Sequence, residues 1–318
     1  MPSETVIGVQ EPRIIPPRAH SLEGPDFICI GMPKAGTSWL FDQLQYHPDF
    51  WMPPVKELQY LNHAVPRLKN VRRHIQRAEK RADARKLREL ERKPQRFKAK
   101  TRPGDDRDER FLREAKALVD QAMDIDRYAA LFRYKGDSLS GDISPPYAGF
   151  NDDTVAQLAR RLPKVKVVLL VRDPIERMCS GLSMNHRKGN FEKTLLDDAS
   201  RFREFFEKER MGDRVFPTKI VERWARCARN IQFRHYLFDD IVTEPEQVRQ
   251  EILLFLGADP NKTSGELPPH YNRKANSAKL MITNQIQAIL VEHFADEVRA
   301  CAKLFGGRAR DWIGRYGL

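Results

Sequence analysis

Three groups of residues in this 318-residue chain have the types and spacing to do chemistry. The first is Gly31 to Ser38, GMPKAGTS, which has the G-x-x-x-x-G spacing of a phosphate-binding loop between a short apolar run and an amphipathic stretch. In that setting the amides of Gly36, Thr37 and Ser38 point at an anion, and the dipole of the following helix adds to the attraction. A loop for nucleoside triphosphates carries lysine directly after its second glycine, but Thr37 stands there and the lysine is Lys34. The displaced charge argues against triphosphate hydrolysis. The second group is Arg172, at the end of an apolar run, with Ser180 eight residues later. A guanidinium grips a phosphate in two places, a serine adds a donor, and strand ends are where α/β folds hold ligands. The bland reading is a strand end in which Arg172 pairs with Asp173; Arg177 reads as a brace for the helix. The third group is Lys56-Glu57, a cation beside a carboxylate that could take a proton. From these two residues alone a surface pair is the simpler reading.

Bringing such groups together takes strands that end at loops. Phe27 to Ile30, the run within 164 to 174 and, more weakly, 231 to 241 read as strands. Helical spacing follows Trp39 and recurs near 245 to 256 and 279 to 304, and 56 to 62 reads as a short strand or loop. Alternating strands and helices predict an α/β fold of three layers, with a central parallel sheet flanked by helices. Five prolines in residues 1–25 predict an extended arm, leaving a single domain over 26–318 with a helical basic insertion at about 66–127. Between Arg67 and Arg102 stand 16 Lys/Arg against 4 Asp/Glu, an excess equal to the net +12 of the whole chain. Such a block meets an anionic surface, glycan or headgroup, or is a solvated helix face. Phe97 is its one aromatic residue, so stacking on bases is unsupported and no specific nucleic acid is expected. Cys29, Cys179, Cys227 and Cys301 lie far apart without a C-x-x-C pair, which suggests neither a zinc site nor a disulfide framework. Met1 to Gln10 lacks the order of a signal peptide and no apolar run reaches about 18 residues, so a cytoplasmic protein is expected.

PKAGTSWL, residues 33 to 40, resembles the 5′-phosphosulfate loop of the sulfotransferases that use 3′-phosphoadenosine 5′-phosphosulfate (PAPS). The longer GMPKAGTSWLFDQLQYHPD resembles their bacterial and carbohydrate-modifying branches. VVLLVRDPIERMCSG is similar to the family's 3′-phosphate motif, with Arg172 and Ser180 at the matching positions. The resemblance implies a P-loop-containing sulfotransferase fold. It also implies metal-free transfer of a sulfuryl group to a hydroxyl or amine of a carbohydrate or other small metabolite, with 3′-phosphoadenosine 5′-phosphate (PAP) as product. It implies Lys34 on the bridging and sulfuryl oxygens, the loop of Ala35, Gly36, Thr37 and Ser38 around the 5′-phosphate, and Trp39 near the adenine. HYNRKANSAKL, residues 270 to 280, resembles the loop that closes over the donor, which implies Arg273 and Lys274 near its phosphates, although Ala275-Asn276 replaces the usual glycine-rich form.

VKELQYLN resembles the K-E-x-x-[YF]-[FL] segment of carbohydrate sulfotransferases and implies Glu57 as base, with Lys56 touching donor or acceptor. His63 and His47 are the rivals, because many small-molecule sulfotransferases use histidine; His47, before Pro48 at a helix end, reads as structural. GDISPPY resembles the family's G-E-x-S-P-x-Y segment and implies Asp142, Ser144 and Tyr147 along the acceptor or donor side. The competing reading is a Pro-Pro loop that packs its tyrosine into the core. Two other function classes remain: a P-loop kinase for a small metabolite, and a polyanion-binding protein acting through residues 67–102.

Overall fold

FICIG and KVVLLV are apolar almost throughout because a central parallel strand has helices on both faces. They form β1 (Phe27–Gly31) and β3 (Lys166–Val171). Beside them run β2 (Gly141–Ile143) and β4 (Gln232–Leu237), and the order across the sheet is β2-β1-β3-β4 with all pairs parallel. The computed structural model describes residues 24–62, 68–73, 75–76, 106–208, 212–262 and 279–318. Residues 1–23 of the expected arm, most of the basic stretch, His63, Arg273 and Lys274 lie outside the described residues.

Parallel neighbours need long crossovers, and helices supply them. In chain order, apart from the helical residues 69–73 and 75–76, the α-helices of the described residues are α1 (Thr37–Gln45), α2 (Asp106–Ala117), α3 (Ile125–Ala130), α4 (Asp152–Arg161) and α5 (Pro174–Arg187). They continue as α6 (Ala199–Lys208), α7 (Pro217–Cys227), α8 (Phe238–Thr243), α9 (Pro245–Leu256), α10 (Asn284–Phe305) and α11 (Asp311–Tyr316). The chain leaves β1 for one side of the sheet and returns after β2 to the other. The C-terminal ends of β1 and β3 therefore open at a switch point, where open α/β sheets hold their ligands. The architecture is the three-layer α/β arrangement expected.

Several boundaries differ for local reasons. The strand expected over 231–241 stops at Leu237, and Phe238 begins α8. The last long helix starts at Asn284 rather than 279, because Thr283 Oγ1 caps it by accepting the Ile286 amide at 3.3 Å. Residues 56–59 form no strand and lead into a 3₁₀ turn over Tyr60–Asn62. The end of the expected insertion belongs to the core: Phe111 of α2 is fully buried between Trp51 and Phe132, and Trp51 Nε1 donates to Asp108 at 3.0 Å.

Candidate active site

The loop after β1 turns back by left-handed backbone at Lys34 (φ 71°) and Gly36 (φ 99°). Gly36 caps α1 with no side-chain acceptor, so the first amides of the helix are left for an anion. A side chain at Gly36 would also crowd the cleft wall, since a Cβ there would stand 3.3 Å from both Phe238 and Ile241. Ala35 departs from its expected place: it is fully buried and its amide donates to the Met32 carbonyl at 3.2 Å, so neither end faces a ligand. Lys34, Gly36, Thr37, Ser38 and Trp39 line a cleft of about 1120 Å³ above the strand ends. Trp39 is nearly buried and its indole Nε1 has no partner among the described residues, as suits a wall awaiting a polar ligand.

Arg172 follows the last residue of β3 and reaches the same cleft. Its Nη1 donates to the Lys34 carbonyl at 3.1 Å, its Nη2 to Glu176 at 3.0 Å, and its guanidinium lies 4.5 Å from the Phe238 ring centroid. Ser180 stands on the cleft face of α5 with Glu176 and Ser183, the spacing that puts side chains on one side of a helix. Arg172 does not pair with Asp173. That carboxylate is buried, caps α5 by accepting the Ile175 amide at 2.9 Å, and accepts from Tyr316 Oη at 2.7 Å and Arg315 Nη1 at 2.9 Å. Burial pushes its pKa up, and those donors pull against the rise. Arg177 turns inward, with no partner for Nε and Nη2 among the described residues; burial, with Arg214 and Arg172 nearby, pushes its pKa down to about 10.

Glu57 lies on the cleft wall, in left-handed backbone at φ 61°. Its carboxylate accepts from Gln59 Nε2 at 3.1 Å, and Lys56 Nζ stands 3.7 Å away. Lys56 donates to Ser38 Oγ at 2.6 Å, which ties this segment to the start of α1. His47 is no candidate for proton transfer. It is 2% exposed, its Nδ1 accepts the Asp49 amide, and its Nε2 therefore carries the proton and donates to the Asp259 carbonyl at 3.0 Å.

Asp142, Ser144 and Tyr147, expected along the cleft, are all buried and lie beneath it, hydrogen-bonded to one another. Tyr147 packs into the core, the competing reading of that segment. Burial raises the Asp142 pKa to about 6 against the pull of its hydroxyl donors. Sequence reasoning missed Phe238, Gln287 and Tyr316, which also line the cleft. Phe238 carried a signal, standing at the end of a strand; Gln287 and Tyr316 arrive from the C-terminal helices and carried none. Among the described residues no cluster of His, Cys, Asp and Glu could hold a metal ion, and no helix is long and apolar enough to cross a membrane.

The chain is similar in fold to a sulfotransferase from Alicyclobacillus acidocaldarius, with 20% identity, a TM-score of 0.55, and 91% of this chain and 98% of that one covered. A second similar structure is the sulfotransferase domain of the Synechococcus PCC 7002 olefin synthase, at 19% identity and a TM-score of 0.43 over 89% of this chain and 98% of that one. No curated protein matches the sequence. The model of the sulfotransferase family matches residues 25–261, from just before the phosphate loop to beyond α9. With that match spanning most of the chain, the protein belongs to the sulfotransferase family.

Proposed function

We propose that the protein moves a sulfuryl group from PAPS to a hydroxyl or amine of a carbohydrate or other small-metabolite acceptor. One observation carries the reading: Lys34, Glu57, Arg172 and Ser180, from three separate segments of the chain, line the same cleft. PAPS bears two anionic ends, and the cleft presents two groups of hydrogen-bond donors near the ends of adjacent parallel strands. The amides of Gly36, Thr37 and Ser38 and the α1 dipole receive the 5′-phosphate, while Lys34 neutralises charge on its bridging and sulfuryl oxygens. Arg172 and Ser180 receive the 3′-phosphate, and Trp39 and Phe238 flank the adenine. Glu57 takes the acceptor's proton as the acceptor–sulfur bond forms and the sulfur–phosphate oxygen bond breaks, releasing PAP. Lys34 and the helix dipole supply the charge stabilisation this displacement needs.

Thermal unfolding with two nucleotides tests the reading. PAP at a hundredfold excess over its Kd should add about 2.7 kcal/mol of stability, whereas ATP at the same concentration should add little. Equal stabilisation by ATP would overturn PAPS as donor and favour the kinase. A screen with labelled PAPS against sugars and amines then identifies the acceptor.

A further inference from the structure

The segment that carries Glu57 has an unfavourable backbone and no ladder or helix to hold it. Glu57 (φ 61°) and Gln59 (φ 55°) both occupy the left-handed region without being glycine, a conformation that persists only where the surroundings dictate it. The amides of this segment lead to one buried group. Gln59 N–H donates to Ser144 Oγ at 3.0 Å, and Leu61 N–H donates to Tyr147 Oη at 3.3 Å. Ser144 Oγ in turn donates to Asp142 Oδ1 at 2.7 Å, and Tyr147 Oη donates to Asp142 Oδ2 at 2.7 Å.

A hydroxyl has a single proton. With Asp142 ionised, Ser144 and Tyr147 must each spend that proton on the carboxylate and turn a lone pair to the backbone of the base segment. Both hydroxyls are thereby fixed as acceptors, and they face amides that need acceptors. Tyr128 adds a third donor to Asp142 at 3.2 Å, and its ring stacks on Tyr60 with centroids 5.7 Å apart, so the same cluster also grips the side chain beyond Gln59. Asp142 itself is set by β2, whose approach to β1 requires Gly141: a Cβ there would lie 2.4 Å from the Phe27 carbonyl oxygen.

We infer that Asp142 is a positioning residue for sulfuryl transfer, which orients Ser144 and Tyr147 as acceptors and so holds the 57–61 segment with Glu57 facing the donor. The inference rests on the proposed role of Glu57 as base. Asparagine at 142 offers one oxygen and one NH₂, so it cannot accept from both hydroxyls on its two sides, and at least one of them must turn.

The test uses Asp142→Asn, Glu57→Gln and the double variant, with PAPS and water as the probe reaction, read as PAP and sulfate released. Asp142→Asn should lower kcat for hydrolysis about 10²-fold through misplacement of the base, with PAP affinity within about twofold of wild type. In the Glu57→Gln background the same change should cost nothing further, since a residue acting through Glu57 has no effect once the carboxylate is gone. Amide hydrogen exchange should show protection lost at Gln59 and Leu61 and kept in β3. Wild-type turnover by Asp142→Asn, losses that multiply in the double variant, or unchanged protection at Gln59 and Leu61 would each overturn the inference; the exchange result decides even where hydrolysis is too slow to read. If Asp142→Asn fails to fold, Ser144→Ala and Tyr147→Phe each remove one acceptor and leave the carboxylate, and the same criteria apply. A wild-type protein that does not bind PAP would instead defeat the proposed function.

Discussion

The phosphate loop and the 55–61 segment meet at one hydrogen bond, Lys56 Nζ to Ser38 Oγ, yet they are held in opposite ways. The loop is built locally: β1 ends, two left-handed residues turn the chain, and α1 begins, all within consecutive residues. What it offers an anion is backbone amides and a helix dipole, which follow from the fold of that stretch itself. The 55–61 segment has no regular structure at Glu57 and owes its shape to side chains more than 80 residues away in sequence. A site can thus combine one half that is almost written in its own strand and helix with another that exists only in the assembled core.

Four experiments sharpen or break that comparison. The largest effect is expected from Glu57→Gln: kcat for transfer from PAPS should fall about 10³-fold with PAP affinity unchanged, because the change removes the proposed base and leaves the loop intact. A parallel loss of PAP affinity in calorimetry would mean the two halves are not separable. Next, Gly36→Ala should cost about 1–2 kcal/mol in denaturant unfolding, since its φ of 99° is unfavourable for alanine. It should also weaken PAP binding, because the new methyl stands 3.3 Å from Phe238 and Ile241 on the cleft side.

A third experiment follows stability with pH. The Asp142 pKa is raised from 3.8 to about 6 in the folded protein, so its contribution is fully present below pH 3.8 and is lost as pH rises through about 6. Relative to Asp142→Asn, the wild-type protein should therefore lose stability between about pH 4 and pH 6 and run parallel to the variant above that range; a constant difference across the window would contradict the buried carboxylate. The smallest effect is expected from Tyr316→Phe. This removes one donor to Asp173, which caps α5 beside Arg172, and should weaken PAP binding about two- to fivefold with kcat little changed.

The same division runs through what could be read from residues alone. Gly31 to Ser38 and the run ending at Arg172 are legible because a parallel strand, a glycine turn and a helix start leave their marks within a few consecutive residues. Ala35 was misread within the loop, since which amides face outward depends on the turn, and its own bonds the Met32 carbonyl. β2 left no such mark: it has three residues, one of them Asp142, and no apolar alternation. Asp142, Ser144 and Tyr147 were recognisable as a set, but their side of the sheet was not, and they lie beneath the cleft. The partner of Asp173 was also out of reach, because Arg315 and Tyr316 stand 142 and 143 residues further along the chain.

By itself, then, the sequence determined the sheet's central strands, the phosphate loop with its displaced Lys34, and Arg172 at a strand end, because each is specified by neighbouring residues and the short-range geometry of the backbone. Tertiary structure alone decided which groups face the cleft and which are buried under it, that the carboxylate of Asp173 belongs to the C-terminal helix, and that Ser144 and Tyr147, bonded to Asp142, accept the amides of Gln59 and Leu61. Hydrogen bonds between residues far apart in the chain form only once burial has removed water as a competing partner, and nothing in the local pattern records where that happens.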